Sequence, residues 1–412
     1  MRVFVVSHTY YPEHSAFASD VAVALAARGH EVTVFAPFPN RPQGRVFSGY
    51  RRAWRDVRNE RGCRVIRSWH TLSRSSTMSS RFGENITFGL TSSIQLFGQL
   101  FNGHRPDAVF MTTWPLFAQN LNSFVLWLRR VPVVSGVLDV YPESLVDKGM
   151  LKRGGLRARV MLALNRSHLR GCARVFTLAP GMVELLRRTR DLPPERLEFV
   201  SNYMDAAPFL APNDGAAFRK QHGIPADAFV AMFAGALTLS AGLMLYVEAA
   251  EQLRDRPGIR LVLVGDGACR VDLEREIAER RLTNIQVVYP LRPAEVPGVQ
   301  AAADVLLISL KGSMAHSAVP SKQVSYMLSG KPVAASVPAE SYPARVLTES
   351  DSGFVLPPED GAAVVRLLTE LEHKRERLSR MGRNARAYAL ANFTRDSVLP
   401  KLVGIVEAAA RC

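Results

Sequence analysis

No run of 18 or more apolar residues occurs in this 412-residue chain, which excludes a membrane-spanning helix as its organising element. The opening M-R-V-F-V-V-S-H has neither the length nor the cleavage site of a signal peptide, so a cytoplasmic chain is expected. Cys63, Cys172, Cys269 and Cys412 are scattered without any C-x-x-C pair, which argues against a zinc site and a disulfide framework; they read as packing residues or incidental thiols. Repeats of solenoid length and low-complexity segments are missing. So are zinc-finger spacing, an RNA-binding aromatic signature and a helix-turn-helix pattern.

Acidic residues are scarce in one half only. The 52 Lys+Arg and 37 Asp+Glu divide into 28 and 14 within residues 1–200 and 24 and 23 beyond, so the first half carries +14 and the second +1. That polarity implies an anionic partner for the first half: nucleic acid, a phosphorylated substrate or the acidic face of a membrane. Without a nucleic-acid motif, the first of these is the weakest. What is present is globular: 47% hydrophobic and 22% charged residues, in a chain longer than one hydrophobic core usually supports. Two domains of about 200 residues each are expected.

The hydrophobic pattern supports an α/β chain. R-V-F-V-V-S reads as a buried parallel strand, residues 18–28 as a helix stopped by Gly29, and 30–35 as the next strand, a βαβ unit of the doubly wound type. Further strands are expected at 107–111, 133–138 and 174–178. A stretch rich in Ala, Pro and Gly from 205 to 228 marks an interdomain connection. Strands at 229–233, 260–264, 285–288, 305–308 and 333–337 follow, with helices at 245–255 and 271–280. The chain closes on helical patterns over 361–371 and 385–409.

The densest combination of signals lies at 320–336, P-S-K-Q-V-S-Y-M-L-S-G-K-P-V-A-A-S. Ser321 after Pro320 is a helix N-cap or first-turn residue, Val324, Met327 and Leu328 recur at helical spacing, and Gly330 before Lys331-Pro332 is a terminator. First-turn amides with Lys322 beside them suit an anion such as a diphosphate, and an ordinary αβ crossover is the equally simple alternative. Gly265-Asp266-Gly267 after a strand, and Gly235 after another, mark βα turns of the kind where ligands collect in parallel sheets. The same glycines also serve tight turns for purely steric reasons. Asp139, after a buried strand and before a Pro-containing turn with Glu143, is either a catalytic carboxylate or a turn cap. His8 and His14 lie in the first βα region, where a lone His is more often structural.

Taken together, G-D-G after a strand, N-Y-M-D at 202–205, P-S-K followed by Y-x-x-x-G-K-P-V, and M-G-R-N-A-R at 381–386 resemble the family 4 glycosyltransferases of the GT-B fold. Y-P-E at 11–13, G-H-E-V at 29–32, P-N-R-P-Q-G at 39–44 with Gly49-Tyr50, and D-V-Y-P-E at 139–143 resemble the WbuB/WcaI-type branch that builds bacterial O-antigen and colanic acid polysaccharides. The similarity runs over nearly the whole chain. It implies two facing Rossmann-like doubly wound domains: an acceptor-binding domain over 1–207, a nucleotide-sugar-binding domain over 208–387, and a C-terminal helix over 388–412 crossing back to the first.

The resemblance also implies metal-independent transfer, without any cofactor, from a nucleotide-sugar donor, expected to be a UDP-sugar, with retention at the anomeric carbon. Donor contacts are expected at Gly235, Gly265, Gly267, Leu291, Arg292, Pro320, Ser321, Lys322 and Ser325, and acceptor contacts at Tyr11, His14, Ser15, Arg67 and Glu143. Asp139 and Lys322 are the expected catalytic residues, Asp139 orienting the acceptor hydroxyl or taking its proton. The chain departs from the family where its E-x7-E pair would fall, at Ser317 and Ser325, and where its phosphate-binding Arg and Lys would fall, at Ala236 and Ala241. Ser15 and Ala16 replace a glycine pair, and Leu138 stands where a His often precedes Asp139. Lys322 and the helix amides therefore carry more of the phosphate recognition. A GT-B scaffold serving as a binding or assembly subunit, or a nucleotide-sugar epimerase, are the alternatives.

Two features address the membrane. Arg51, Arg52, Arg55, Arg58, Arg61, Arg64 and Arg67 crowd around Trp54, as a lipid-phosphate site or a solvated basic surface. Phe82, Ile86, Leu90, Ile94, Phe97 and Phe101 follow helical spacing, widened by Phe88, Leu96 and Leu100; burial within the domain explains this face more simply than interfacial insertion. With the +14 charge they favour a peripheral enzyme at the inner face of the cell membrane, acting on a polyprenyl-diphosphate-linked saccharide.

Overall fold

The computed structural model describes residues 1–13, 17–41, 43–73, 78–147, 149–310 and 321–411. His14, Ser15, Ser317 and Pro320 lie outside them. The chain forms two compact units, Met1–Val200 with Leu399–Cys412, and Ser201–Val398.

The first unit is built on eight strands: β1 (Arg2–Val6), β2 (Glu31–Pro37), β3 (Arg55–Glu60), β4 (Cys63–Ser68), β5 (Ala108–Thr112), β6 (Val133–Val137), β7 (Arg174–Thr177) and β8 (Leu197–Phe199). Their order is β3-β4-β2-β1-β5-β6-β7-β8, parallel except for the β3–β4 pair. Val3, Phe4, Val5 and Val6 are all buried, as expected of a strand covered on both faces. The chain moves from β1 toward one edge and then returns to β5 on the other side of β1. That reversal is a topological switch point, where α/β sheets open a crevice at their strand ends.

The arginine-rich stretch departs from expectation. It forms an antiparallel hairpin in which Glu60 pairs with Cys63 across Arg61 and Gly62, both with positive φ (52° and 78°). A two-residue loop with both residues in that region matches the twist of the flanking strands. The arginines are largely engaged: Arg58 with Asp56 at 2.7 Å, Arg64 with Gln99 at 3.1 Å, and Arg61 over the Tyr11 ring at 4.1 Å. The helix Met78–Phe101 corrects a second expectation. Phe88, Leu96 and Leu100 are buried, whereas Phe82, Leu90, Ile94, Phe97 and Phe101 are exposed.

The second unit contains β9 (Phe229–Ala234), β10 (Ile259–Val264), β11 (Ile285–Val288), β12 (Val305–Ser309), β13 (Val333–Ser336) and β14 (Gly353–Leu356), in the order β11-β10-β9-β12-β13-β14 and parallel throughout. Its switch point lies between β9 and β12. Alternation along β9 feeds two cores, Val230, Met232 and Ala234 on one face and Phe229, Ala231 and Phe233 on the other. The helical pattern expected over 385–409 is two helices, Arg375–Asn392 and Arg395–Ala409. Between them Thr394 and Ser397 exchange reciprocal bonds, Thr394 N to Ser397 Oγ at 3.0 Å and Ser397 N to Thr394 Oγ1 at 3.2 Å, a capping arrangement that restarts the helix. The second helix ends in the first unit, where Glu407 meets Arg28 at 3.1 Å and His30 at 2.8 Å.

Candidate functional site

Two backbone turns carrying three glycines follow the carboxyl ends of β9 and β10 and form a tight floor. Gly235 (φ +147°) donates its N–H to Val264 O at 2.8 Å, and Gly265 (φ +139°) donates to Val288 O at 2.9 Å. A Cβ at Gly265 would sit 2.1 Å from Gly235 O, and one at Gly267 would sit 2.5 Å from Leu237 O. Gly265 and Gly267 are thus required by the neighbouring turn's backbone. Gly235 differs: a Cβ there would meet the side chain of Lys322, 2.2 Å from Cε.

Lys322 is the second residue of the helix Ser321–Leu328, which follows β12 at the switch point. Tyr326 fixes this helix, its buried hydroxyl accepting from Ala234 N at 2.8 Å and donating to Ala234 O at 3.0 Å. The lysine stem is thereby laid across the end of β9, with Nζ 4.9 Å from the Phe233 ring centroid. Burial lowers its pKa below the ordinary lysine value. Among the described residues no carboxylate pairs with Lys322, so its charge is available to an anion, as are the first-turn amides that begin at the exposed Ser321. Ser325 is placed otherwise than expected. Its hydroxyl donates to Lys322 O at 3.0 Å and accepts from the buried Gln300 at 3.1 Å, which commits it to the helix and the core.

Beside this floor lies a cleft of about 530 Å³, reached through Val264 and Val288 at the ends of β10 and β11. Its wall includes Tyr289, Pro290, Leu291 and Arg292 on one side, and Phe218 and His222 on the other. Arg292 is extended into solvent and anchored to Glu295, Nε to Oε1 at 2.9 Å, while Glu295 Oε2 accepts Arg292 N at 3.0 Å. A concave, mostly apolar slot of this size accommodates a planar heterocycle and its ribose. Phe218, His222 and Asp214 came from a stretch read as connection. Asp214 is the missed signal: its carboxylate accepts Ala216 N at 2.9 Å and Ala217 N at 3.1 Å and starts the helix Gly215–Gln221 that carries the wall.

In the first unit, a buried polar cluster gathers after β1, β2 and β4. Glu13 Oε1 accepts Asn40 N at 2.7 Å and Arg41 N at 2.9 Å. Asn40 Nδ2 lies 3.0 Å from His70 Nε2, and Arg41 Nη2 donates to Glu84 Oε2 at 3.2 Å. His8 Nε2 lies 3.4 Å from Arg41 Nη2, while His8 Nδ1 and Glu13 Oε2 are buried without a hydrogen-bond partner among the described residues. Burial first, then the charge of Arg41, holds the His8 pKa well below its ordinary value; burial raises those of Glu13 and Glu84. The two unsatisfied buried atoms are places for a polar ligand's hydroxyls or for water. His70 and Glu84 carry no motif; only the fold brings them here.

The expected acceptor residues separate into two groups. Tyr11 is exposed; Ser19 Oγ accepts its N–H at 2.8 Å, and its ring lies under Arg61. Arg67 and Glu143 are corrected: both are tied into the scaffold. Arg67 is buried, donating to Pro37 O at 3.0 Å, to Glu60 Oε2 at 2.7 Å and to Tyr11 O. Glu143 forms a bidentate pair with the fully buried Arg190 at 2.6 and 2.8 Å, and Arg190 also holds Tyr141 O at 2.6 Å. Asp139, beyond the end of β6, remains partly exposed and accepts from the Tyr141 hydroxyl at 3.4 Å. Among the described residues no group of three or more His, Cys, Asp or Glu side chains is placed to hold a metal ion.

Residues 14–203 match the Glycosyl transferase 4-like domain and residues 214–388 match the Glycosyl transferases group 1 family, together spanning both units. The chain is 27% identical over 338 residues to the colanic acid biosynthesis glycosyl transferase WcaI of Escherichia coli (strain K12), covering 80% of this chain and 82% of that protein. It is 26% identical over 321 residues to the glycosyltransferase WbjE of Pseudomonas aeruginosa, covering 77% and 76% respectively. Anabaena HepE, solved in complex with UDP, shares the fold with a TM-score of 0.70 over 99% of this chain and all of that one, at 14% identity. With its two parallel-sheet Rossmann-like units, the chain belongs to the family 4 type of GT-B glycosyltransferases.

Proposed function

We propose that the chain transfers a sugar from a UDP-sugar, with retention and without a metal ion, to a lipid-linked saccharide in bacterial surface polysaccharide biosynthesis. The observation that carries this reading is the continuity of the second unit's strand ends: an apolar cleft at Val264 and Val288, the glycine turns beside it, and then Lys322 with the helix amides. That is the sequence of environments a nucleoside, a diphosphate and a sugar require. The polysaccharide context is supported by WcaI, a colanic acid biosynthesis glycosyl transferase, and the uridine nucleotide by HepE, whose structures include complexes with UDP and UDP-glucose.

In the reaction, the bond between the anomeric carbon and the β-phosphate oxygen breaks as the acceptor oxygen bonds to that carbon and loses its proton. Negative charge grows on the departing UDP, and Lys322 with the Ser321 and Lys322 amides stabilises it. Asp139 orients the acceptor hydroxyl and takes up its proton. The +14 charge of residues 1–200 attracts the polyprenyl diphosphate and the inner face of the cell membrane that carries it. A panel of nucleotide sugars tests this. UDP-sugars are expected to give transfer in the presence of chelator, with the product's anomeric configuration matching the donor's by NMR. No turnover with any donor, or inversion, overturns it.

A further inference from the structure

The helix Met78–Phe101 buries a polar stripe together with Phe88, Leu96 and Leu100 and leaves a second apolar stripe outside. Thr91, Ser92, Ser93, Gln95 and Gln99 are buried, and each makes a specific inward bond: Thr91 to Trp69 O at 2.6 Å, Ser93 to Asn122 at 3.1 Å, Gln95 to Trp54 O at 3.0 Å. Outward stand Phe82, Leu90, Ile94, Phe97 and Phe101, each 44–59% exposed. A soluble helix normally places these residue types the other way round. These inward bonds hold the polar stripe against the domain and keep the outer apolar stripe on the surface.

A neighbouring helix widens the stripe. Leu116–Trp127 runs alongside in the same direction: a Cβ on Gly89 would meet Ala118 Cα at 2.8 Å, Ser92 bonds Asn122, and Arg129 lies 5.1 Å over the Phe101 ring. At this end Phe124, Trp127 and Leu128 are exposed, and Phe97 stacks on Phe101 at 4.2 Å. Arg129 thus borders the cluster, followed in sequence by Arg130, whose carbonyl accepts from Arg105 at 3.3 Å. Between residues 85 and 130 the chain has a single carboxylate, Asp107, which accepts Arg2 N at 2.8 Å. Exposed aromatic side chains with arginine beside them and few carboxylates in the same segment are the composition that seats at the headgroup level of an anionic bilayer.

We infer that these two helices are the face by which the protein docks on an anionic membrane surface. This rests on the lipid-linked acceptor proposed above and gives it a location. The same helix that points Phe97 outward points Glu84 inward to Arg41, so the polar cluster after β1, β2 and β4 is held from behind by the docking element. No helix among the described residues is long and apolar enough to cross a membrane, and docking by this face does not require one.

Co-sedimentation of the full chain with phosphatidylglycerol-containing vesicles, against pure phosphatidylcholine, tests the inference. Binding is expected to the first only and to weaken with salt, and Phe97→Glu with Trp127→Glu is expected to reduce it about tenfold or more. The double variant is expected to keep its melting temperature and its turnover of a water-soluble acceptor, because both side chains are exposed. Wild-type protein that ignores these vesicles at low salt overturns the inference, as does a double variant that binds like wild type. A double variant that only converts a dimer to a monomer assigns the face to a second copy and also overturns it. Failure of transfer with every donor, with vesicle binding intact, sinks the acceptor reading and leaves the docking face standing.

Discussion

A Cβ on Gly235 would stand 2.2 Å from Lys322 Cε, so the glycine ending β9 is what allows the lysine to lie across the strand end with its ammonium beside Phe233. Gly235→Ala is expected to displace that stem and weaken UDP binding about tenfold, whereas Lys322→Ala is expected to lower kcat/KM about 100-fold, near 2.7 kcal/mol. Isothermal titration with UDP and steady-state kinetics check the two.

Burial lowers the Lys322 pKa, and a bound diphosphate favours its charged form. Below the ordinary lysine value of 10.5 there is therefore a window in which the free protein has partly lost a proton that the complex retains. UDP affinity is expected to fall as pH rises through that window, with proton uptake on binding. Calorimetry in two alkaline buffers of different ionisation enthalpy measures it. An uptake unchanged in Lys322→Met sinks the assignment.

The strand-turn-helix units around 229–265 and 320–336 were legible because each combines an apolar run, a glycine and a helix start within a few residues. The hairpin at Arg55–Ser68 was hidden: its turn uses Arg61-Gly62 rather than Asn-Gly, and β3 alternates polar residues on both faces. The helix Met78–Phe101 misled in a different way. Periodicity reports that an apolar stripe exists, and only the inward bonds of Ser93 and Gln95 reveal that polar residues share the buried face with Phe88, Leu96 and Leu100, which leaves the wider stripe outside. Glu143 and Arg190 are separated by 47 residues, so no local pattern announces their pairing.

Asp139 sits after β6 beside Tyr141, partly exposed, and accepts the Tyr141 hydroxyl at 3.4 Å. Asp139→Asn keeps the shape and removes the base. It is expected to lower kcat by about 10²-fold or more with little change in KM or melting temperature. A loss confined to stability would make it a turn cap.

Glu143→Gln should behave in the opposite way. It leaves the fully buried Arg190 without its bidentate counter-charge, and Arg190 holds both Tyr141 O and Asn165 Oδ1. The expected cost is about 3 kcal/mol of folding stability, read by urea denaturation, with KM for the acceptor unchanged in the surviving folded fraction.

His168 isolates the acid response of the first unit. His8 and His70 are also held below their ordinary pKa by burial, but Glu13 and Glu84 near them are raised by burial and act against them as pH falls. His168 is buried among Ser123 at 2.8 Å, Ser135 at 2.9 Å and Cys172, and burial alone takes its pKa to about 4. Between 6.5 and 4 the unfolded imidazole binds a proton that the folded one does not, so stability present above 6.5 is lost as pH falls through this window. The loss attributable to His168 approaches about 1.4 kcal/mol for each pH unit. His168→Gln is expected to be less stable than wild type at neutral pH and to lose less on acidification, so the two denaturation curves converge toward pH 4. Parallel curves across that range would show that His168 is protonated in the folded protein.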